Sequence, residues 1–312
     1  MSYRLGINLG FAINKYCEPE EWTRIVAREL GLYRVQFVAD LLNPFLPWDY
    51  VTKQVQRVSQ CTKEYGITIE SLFTSAFTRV NHLMSGDEEL RKIWFDWFRR
   101  FLKIGAAWGA KSLGSHFGIL TFAAYDNPST REYLIEEAVK SWQNLSFEAK
   151  ELGYECLLFE PMSVAREMAT TVAGTQELLR RVNARCGVPM RVCLDIGHAP
   201  HPSERDPYPW IEQLGAVSPV IHLQQTVLHR SNHAPFTEEH NRDGLIAGDR
   251  VMEAVRKSGC EDSLFTFEIS HREHEDYEHR IIPDLKESVR YWRQFIPEGE
   301  EPCVPPLPHN SH

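Results

Sequence analysis

Glu160, in CLLFEPM, and Glu268, in SLFTFEIS, each stand near the C-terminal end of a short apolar run, where a buried carboxylate is costly without a partner of opposite charge. Asp195 in MRVCLDIGH and Gln224 in VIHLQQT occupy equivalent places in two further runs. Four oxygen-bearing side chains from four separate segments read as one divalent-cation site of an enzyme. Singly, Glu160 or Glu268 would be a solvated strand-end acid, Asp195 a loop cap and Gln224 the partner of a backbone group. Their shared placement outweighs those readings. His198 follows Asp195 by three residues, His116 ends the run KSLGSHF, and His222 precedes Gln224 by two. A lone histidine is more often a satisfied structural residue than a ligand, and only His198 gains from its motif.

Groups of this kind need a frame that brings strand ends together. Eight strand-like runs, at 4–10, 34–40, 67–73, 111–117, 156–162, 191–197, 220–226 and 264–270, alternate with amphipathic stretches. The predicted helices cover 18–30, 47–65, 87–108, 129–152, 175–186, 207–214, 245–258 and 281–295. Pro19 with Glu20 and Glu21 opens the first helix, and Gly31, Gly66, Gly153 and Gly259 follow helix ends just before strands. A strand-first chain with eight such units predicts an α/β fold, a closed (β/α)8 TIM barrel over 1–296, followed by a proline-rich tail over 297–312. Active-site groups of a barrel gather at the C-terminal strand ends, and this rule selects Glu160, Asp195, Gln224 and Glu268 together.

With 43% apolar and 25% charged residues among 312, the chain can build a large core. Its net charge of −9 argues against a nucleic-acid partner, which demands a clustered basic surface. A small anion needs only a few local cations. Arg79, Lys15, Arg205 and Arg230 fall on predicted loops, and Arg230 stands out because it follows Gln224 by six positions, in LHRSNHAPF, beside His229, Asn232 and His233. No Gly-rich phosphate cradle occurs, so a nucleotide cofactor is not expected. Seven cysteines without a CxxC pair suit a reducing cytosol, and no apolar stretch approaches membrane-spanning length. The expectation is a cytoplasmic protein with no membrane partner. Leu90, Trp94, Trp97, Phe98, Phe101, Ile104 and Trp108 form a stripe on the third helix; packing is the plain explanation, and a homo-oligomer interface the functional one. The segment LLNPFLPWDY (41–50) reads as a substrate lid over the mouth or a packed loop.

Strand-borne Glu160, the Asp195-Ile196-Gly197-His198 motif, Gln224 and Glu268 resemble the xylose isomerase-like sugar (phosphate) isomerase and epimerase superfamily over nearly the whole chain except the tail. Many members place His where Gln224 stands, whereas the hydroxypyruvate isomerase branch uses Gln, and the ketose epimerases carry an Arg at the spacing of Arg230. The resemblance implies Glu160, Asp195, Gln224 and Glu268 as ligands of one divalent ion, with His198 and Arg230 as substrate contacts. His116 and His233 join them as further candidates at the same mouth. More narrowly, LGINLGFAINKY, VQFVADLLNP, HLQQT and PFTEEHN look like the tetrulose-phosphate epimerases of bacterial erythritol catabolism, which interconvert the L and D forms of erythrulose phosphate.

That chemistry suits the constellation. A divalent ion, Mn or Mg before Co or Zn given the oxygen-rich set, acidifies the C–H beside a ketone. Glu160 and Glu268 on opposite faces of a ketose or ketose phosphate then form the acid/base pair that inverts that carbon. Aldose–ketose or hydroxypyruvate-type isomerisation uses the same intermediate and stays open as an alternative. So does an inosose dehydratase-like lyase. A metal-dependent endonuclease would need more histidines and a basic face, and a non-catalytic sugar-binding barrel would more naturally lack one glutamate.

Overall fold

Short runs with apolar residues on both faces pair side by side, and in the computed structural model eight of them close into a parallel ring. The structure describes residues 2–198, 206–228, 230–271 and 278–297, with the backbone alone for Ala76 and Arg230. The strands are β1 (Ser2–Asn8), β2 (Arg34–Val38), β3 (Thr68–Phe73), β4 (Ser112–His116), β5 (Cys156–Glu160), β6 (Met190–Asp195), β7 (Val220–Leu223) and, last in sequence, β10 (Asp262–Phe267). They follow one another around the ring as β1-β10-β7-β6-β5-β4-β3-β2, so the expected TIM barrel is the observed fold. The tail from 298 onward, together with Arg205, His229 and Cys303, lies outside the described residues.

One expected strand divides. The run 220–226 ends as β7 at Leu223, and Gln225–Val227 (β8) turns back to pair antiparallel with Arg230–Ala234 (β9), a ribbon standing on the mouth. Gln225 staples its base: Nε2 donates to the Asn241 side chain and the Ile246 carbonyl, and Oε1 accepts from the Thr226 and Ile246 amides. Near the end of β9, the Ser270 amide donates to the His233 carbonyl.

The helices pack their apolar stripes on the ring. These are α1 (Pro19–Arg24), α2 (Trp48–Tyr65), α3 (Glu88–Ala107), α4 (Phe122–Asp126), α5 (Pro128–Glu151), α6 (Val172–Asn183), α7 (Pro207–Leu214), α8 (Glu238–Asp243), α9 (Gly248–Lys257) and α10 (Ile281–Trp292). The short α4 and α8 were not among the sequence expectations, and the first predicted helix widens after Arg24 into a π turn over Ile25–Glu29. Asp87 caps α3, accepting from the Glu89 and Leu90 amides at 2.8 and 3.2 Å. Gly66 closes α2 at φ 68°, a left-handed backbone that strains residues with a side chain, and β3 begins two residues later. No helix among the described residues is long and apolar enough to cross a membrane.

Trp97, Phe98 and Phe101 of α3 are fully buried, which bears out the packing explanation of its aromatic stripe. The segment 41–50 packs beside α3 and does not line the central cavity among the described residues. Asn43 accepts from Trp97 Nε1, the Leu46 carbonyl accepts from Arg100, and Phe45 and Trp48 line outer grooves beside α3, away from the central cavity. At the opposite end of the ring, the β2–β3 register shifts at Glu70, a buried acid held between Arg4 and Arg34. That ion network sits far from the C-terminal strand ends and serves stability.

Gly114 on β4 has no room for a methyl group: a Cβ there would meet the Phe73 ring at 2.5 Å and Leu158 Cβ at 2.9 Å. Gly114→Ala is expected to destabilise the barrel by about 1–3 kcal/mol, read as a lower urea midpoint with an unchanged slope. An unaltered midpoint would show that Phe73 yields freely.

Candidate active site at the barrel mouth

Glu160 is the last residue of β5 and Asp195 the last of β6, while Gln224 and Glu268 directly follow β7 and β10. Strand geometry therefore delivers all four to one end of the ring. Glu160, Asp195 and Gln224 are almost entirely buried. Side chains alternate along a strand, so His222, two residues before Gln224, points inward as well. Its Nδ1 hydrogen-bonds Glu160 Oε1 at 3.3 Å and lies 3.0 Å from Glu268 Oε2. On the other side of the ring, His222 Nε2 donates to Gln36 Oε1 at 2.7 Å, an oxygen that also accepts from Asn8 Nδ2 at 2.7 Å. Both ring nitrogens thus face acceptors, the arrangement of an imidazolium. The sequence reading set His222 aside as structural; the signal was its period-two relation to Gln224.

Electrostatics divide the two glutamates. Burial, then the charge of Glu268, holds the Glu160 carboxyl above the usual range. Burial acts on Glu268 in the same direction, but His222 and the neighbouring His233 and His198 outweigh it and hold that carboxyl well below the usual range. Burial opposes a charge on His222, yet Cys193 and the facing carboxylates keep its pKa well above the ordinary value. His198 is raised for a similar reason: burial lowers it, while Asp195 and Glu160 more than compensate. Its ring nitrogens lie 3.4 Å from Asp195 Oδ2 and 3.6 Å from Glu160 Oε1.

The donor set fits a metal ion. One ligand atom each from Glu160, Asp195, His222 and Glu268 all lie within 4.8 Å of one another, and Asp195, His198 and His233 form an overlapping group. His198 Nδ1 is buried without a hydrogen-bond partner among the described residues, which is what a polar ligand would remedy. Gln224 enters differently from the expectation of a direct ligand. Its Nε2 donates to Asp195 Oδ2 at 2.6 Å, and its Oε1 accepts from the His233 amide at 2.6 Å and from Ser231 Oγ at 3.1 Å. The amide oxygen faces the ribbon, so the side chain as placed orients Asp195.

Above the cluster opens a cavity of about 240 Å3, smaller than the ~300–1,000 Å3 of drug-sized sites and suited to a ligand of a few carbons. His198, His233, His116, Glu160 and Glu268 line it. His116 offers little to a ligand: Nε2 donates to the Val80 carbonyl at 3.0 Å, leaving Nδ1 to accept from Ser115 at 3.4 Å. Arg230 begins β9 beside the mouth, with its side chain outside the described atoms, and Lys15 bonds Asn14 rather than joining the wall.

Burial pushes His116 down to about 4, and His82, its ring centroid 4.1 Å away, is pushed well below its ordinary value by burial and by His116. The unfolded chain protonates His116 near 6.5, the folded protein only near 4, so between those values the unfolded state binds more protons. Stability should therefore fall by about 3 kcal/mol from this residue as pH drops through that window, then level off. Urea titrations of wild type and His116→Gln at pH 7 and pH 4.5 check this. An equal loss in both proteins would rule His116 out as the source.

The sequence profile of the xylose isomerase-like TIM barrel matches residues 25–295. The chain belongs to this family. Within the xylose isomerase-like barrels, it is 31% identical over 304 residues to D-erythrulose 1-phosphate 3-epimerase of Brucella abortus (strain 2308), covering 96% of this chain and 98% of that protein. A crystal structure from Rhodospirillum rubrum ATCC 11170, provisionally named a xylose isomerase, superposes with a TM-score of 0.86 at 27% identity, covering 94% of this chain and 99% of that one. D-allulose 3-epimerase from Methylomonas sp. superposes with a TM-score of 0.70 at 16% identity, over 94% of this chain and 98% of its own, a likeness of fold. This member of the family is an enzyme of the isomerase class.

Proposed function

We propose that this enzyme inverts the carbon next to the ketone of a short ketose phosphate, erythrulose 1-phosphate, with a divalent metal ion at the barrel mouth. The observation that carries the reading is the meeting of Glu160 and Glu268 at one imidazole nitrogen, from strands three places apart around the ring. Carboxylates so placed approach a small bound sugar from different sides. The Brucella relative, matched almost end to end, supports the choice of reaction and substrate. Glu160, Asp195 and Glu268, with His222 after its Nδ1 gives up its proton or with a reoriented Gln224, would hold the ion, and the oxygen-rich set favours Mn or Mg over thiolate-preferring metals. When bound, such an ion polarises the ketone and acidifies the C–H beside it.

The rest of the work belongs to side chains. One glutamate removes the proton from C3, leaving an enediolate, and the other returns a proton to the opposite face; the two exchange roles with the hand of the substrate. His198, lacking a partner at Nδ1, is placed to hydrogen-bond a substrate oxygen as charge builds on it. His233, on the ribbon, faces His198 with ring centroids 5.6 Å apart and bounds the sugar from the other side.

A second reading, isomerisation by carbonyl migration, draws on the Rhodospirillum structure, since the C2–C3 enediolate reprotonated on C2 leaves the carbonyl on C3. Turnover of erythrulose 1-phosphate in deuterium oxide separates the two. Deuterium at C3 with inverted configuration supports epimerisation. Deuterium on the neighbouring carbon, with a rearranged carbonyl, would transfer the assignment to an isomerase.

A further inference from the structure

We infer that Arg79 anchors the phosphate of the substrate and sets the preference for phosphorylated over free ketoses, an inference that rests on the proposed reaction. Among the described residues lining the cavity, Arg79 is the one permanent cation. The polar neighbours on its side of the wall are spent on the protein. Thr74 donates to Ser115, Ser75 donates to Asp40, Asn8 is engaged by Gln36 and the Gly10 amide, and both His116 nitrogens are taken. An anionic group entering here has one strong donor to find.

That donor is held in place. Arg79 Nε and Nη2 both donate to Glu167 Oε2, at 3.0 and 2.6 Å, and the Glu167 side chain is only 8% exposed. The buried carboxylate fixes one edge of the guanidinium plane. Nη1 has no acceptor in the described contacts, and 45% of the Arg79 side chain remains open. A preorganised fork of this kind binds phosphate with little further loss of side-chain freedom. The pair is nearly neutral overall, so recognition comes from directed N–H groups rather than from a bare field.

Arg79 also stands on the wall that carries Glu160. The Val80 carbonyl, next to Arg79, is bonded by His116, and His116 is the strand partner of Glu160 across β4 and β5. The arginine loop is thereby pinned one strand away from a proposed catalytic glutamate, with neighbouring strands about 5 Å apart. In a ketose 1-phosphate the phosphate-bearing carbon is two bonds from the carbon that inverts, so its phosphate must bind at the wall of the same cavity, which Arg79 and Glu160 both line.

The test compares erythrulose 1-phosphate with free erythrulose as substrates of the full-length, metal-loaded protein and its Arg79→Gln and Arg79→Lys variants. The ratio of kcat/KM for the phosphorylated over the free ketose should fall roughly 10- to 100-fold in Arg79→Gln, mainly through KM, with partial recovery in Arg79→Lys. Competitive inhibition by inorganic phosphate should weaken in parallel. A ratio unchanged in a variant that melts like wild type would overturn the inference. If wild type turns over no ketose phosphate, the proposed reaction fails on its own, and the anchor is then judged by phosphate-induced thermal stabilisation: present in wild type and lost in Arg79→Gln it stands, absent from wild type or equal in both it falls. Should Arg79→Gln misfold because Glu167 is left buried and unpaired, the Arg79→Gln/Glu167→Gln double variant removes both charges and is read by the same ratio.

Discussion

Glu160→Gln and Glu268→Gln should each cut epimerisation by about 10^3-fold or more while the protein still folds, as the loss of one member of a two-base pair commonly costs 10^2–10^4 and these residues also belong to the proposed ion's donor set. Glutamine keeps the shape of glutamate but can neither accept the C3 proton at neutral pH nor neutralise a cation. Each substitution leaves His222 with one facing carboxylate instead of two. Thermal melting and circular dichroism check the fold, and chiral analysis of the product reads the rate. Near-normal turnover in either variant would remove that residue from proton transfer and leave the proposed mechanism without half of its pair.

Stripping divalent ions should abolish turnover and lower the melting temperature, with both restored by adding back Mn or Mg. Three carboxylates within 4.8 Å of a common donor set repel one another, and His222 supplies one compensating charge within that set. An ion binding the folded state alone contributes about 2.7 kcal/mol at a concentration 100-fold above its Kd, so the melting shift rises with the logarithm of added metal. Elemental analysis must accompany the assay. Full activity in protein shown to be free of divalent ions would defeat the metal-dependent reading, whatever the role of the glutamates.

Much of this architecture was legible in the residues because the barrel is repetitive. Apolar runs bounded by glycine-terminated helices announce one βα unit after another, and one rule about strand ends then picks out Glu160, Asp195 and Glu268 without knowledge of distances. The ribbon was harder to see. VIHLQQT reads as one continuous strand, and the side-chain bonds of Gln225 to Asn241 and Ile246, distant in sequence, help hold the turn after Leu223. His222 was discounted because burial and ligation look alike in a sequence; the deciding fact is that two carboxylates from other strands converge on it. For Arg79 no local pattern distinguishes a wall residue from a solvated loop cation. Its partner Glu167 lies 88 residues away and becomes visible only when the loops after β3 and β5 meet.

The ribbon over the mouth is fastened at its root by Gln225 and near its end by the contact between Ser270 and His233, and among the described residues the bonds that orient Gln224 and Asp195 come from Ser231 and His233 rather than from Leu228. Reach and grip are thereby uncoupled. Substitutions confined to the tip should therefore change which sugars enter while leaving the bonds around Asp195 in place. Diversification of substrate range would then be written first in the few residues around Leu228, and a directed-evolution library confined to that tip would sample new sugars without sacrificing the inversion step.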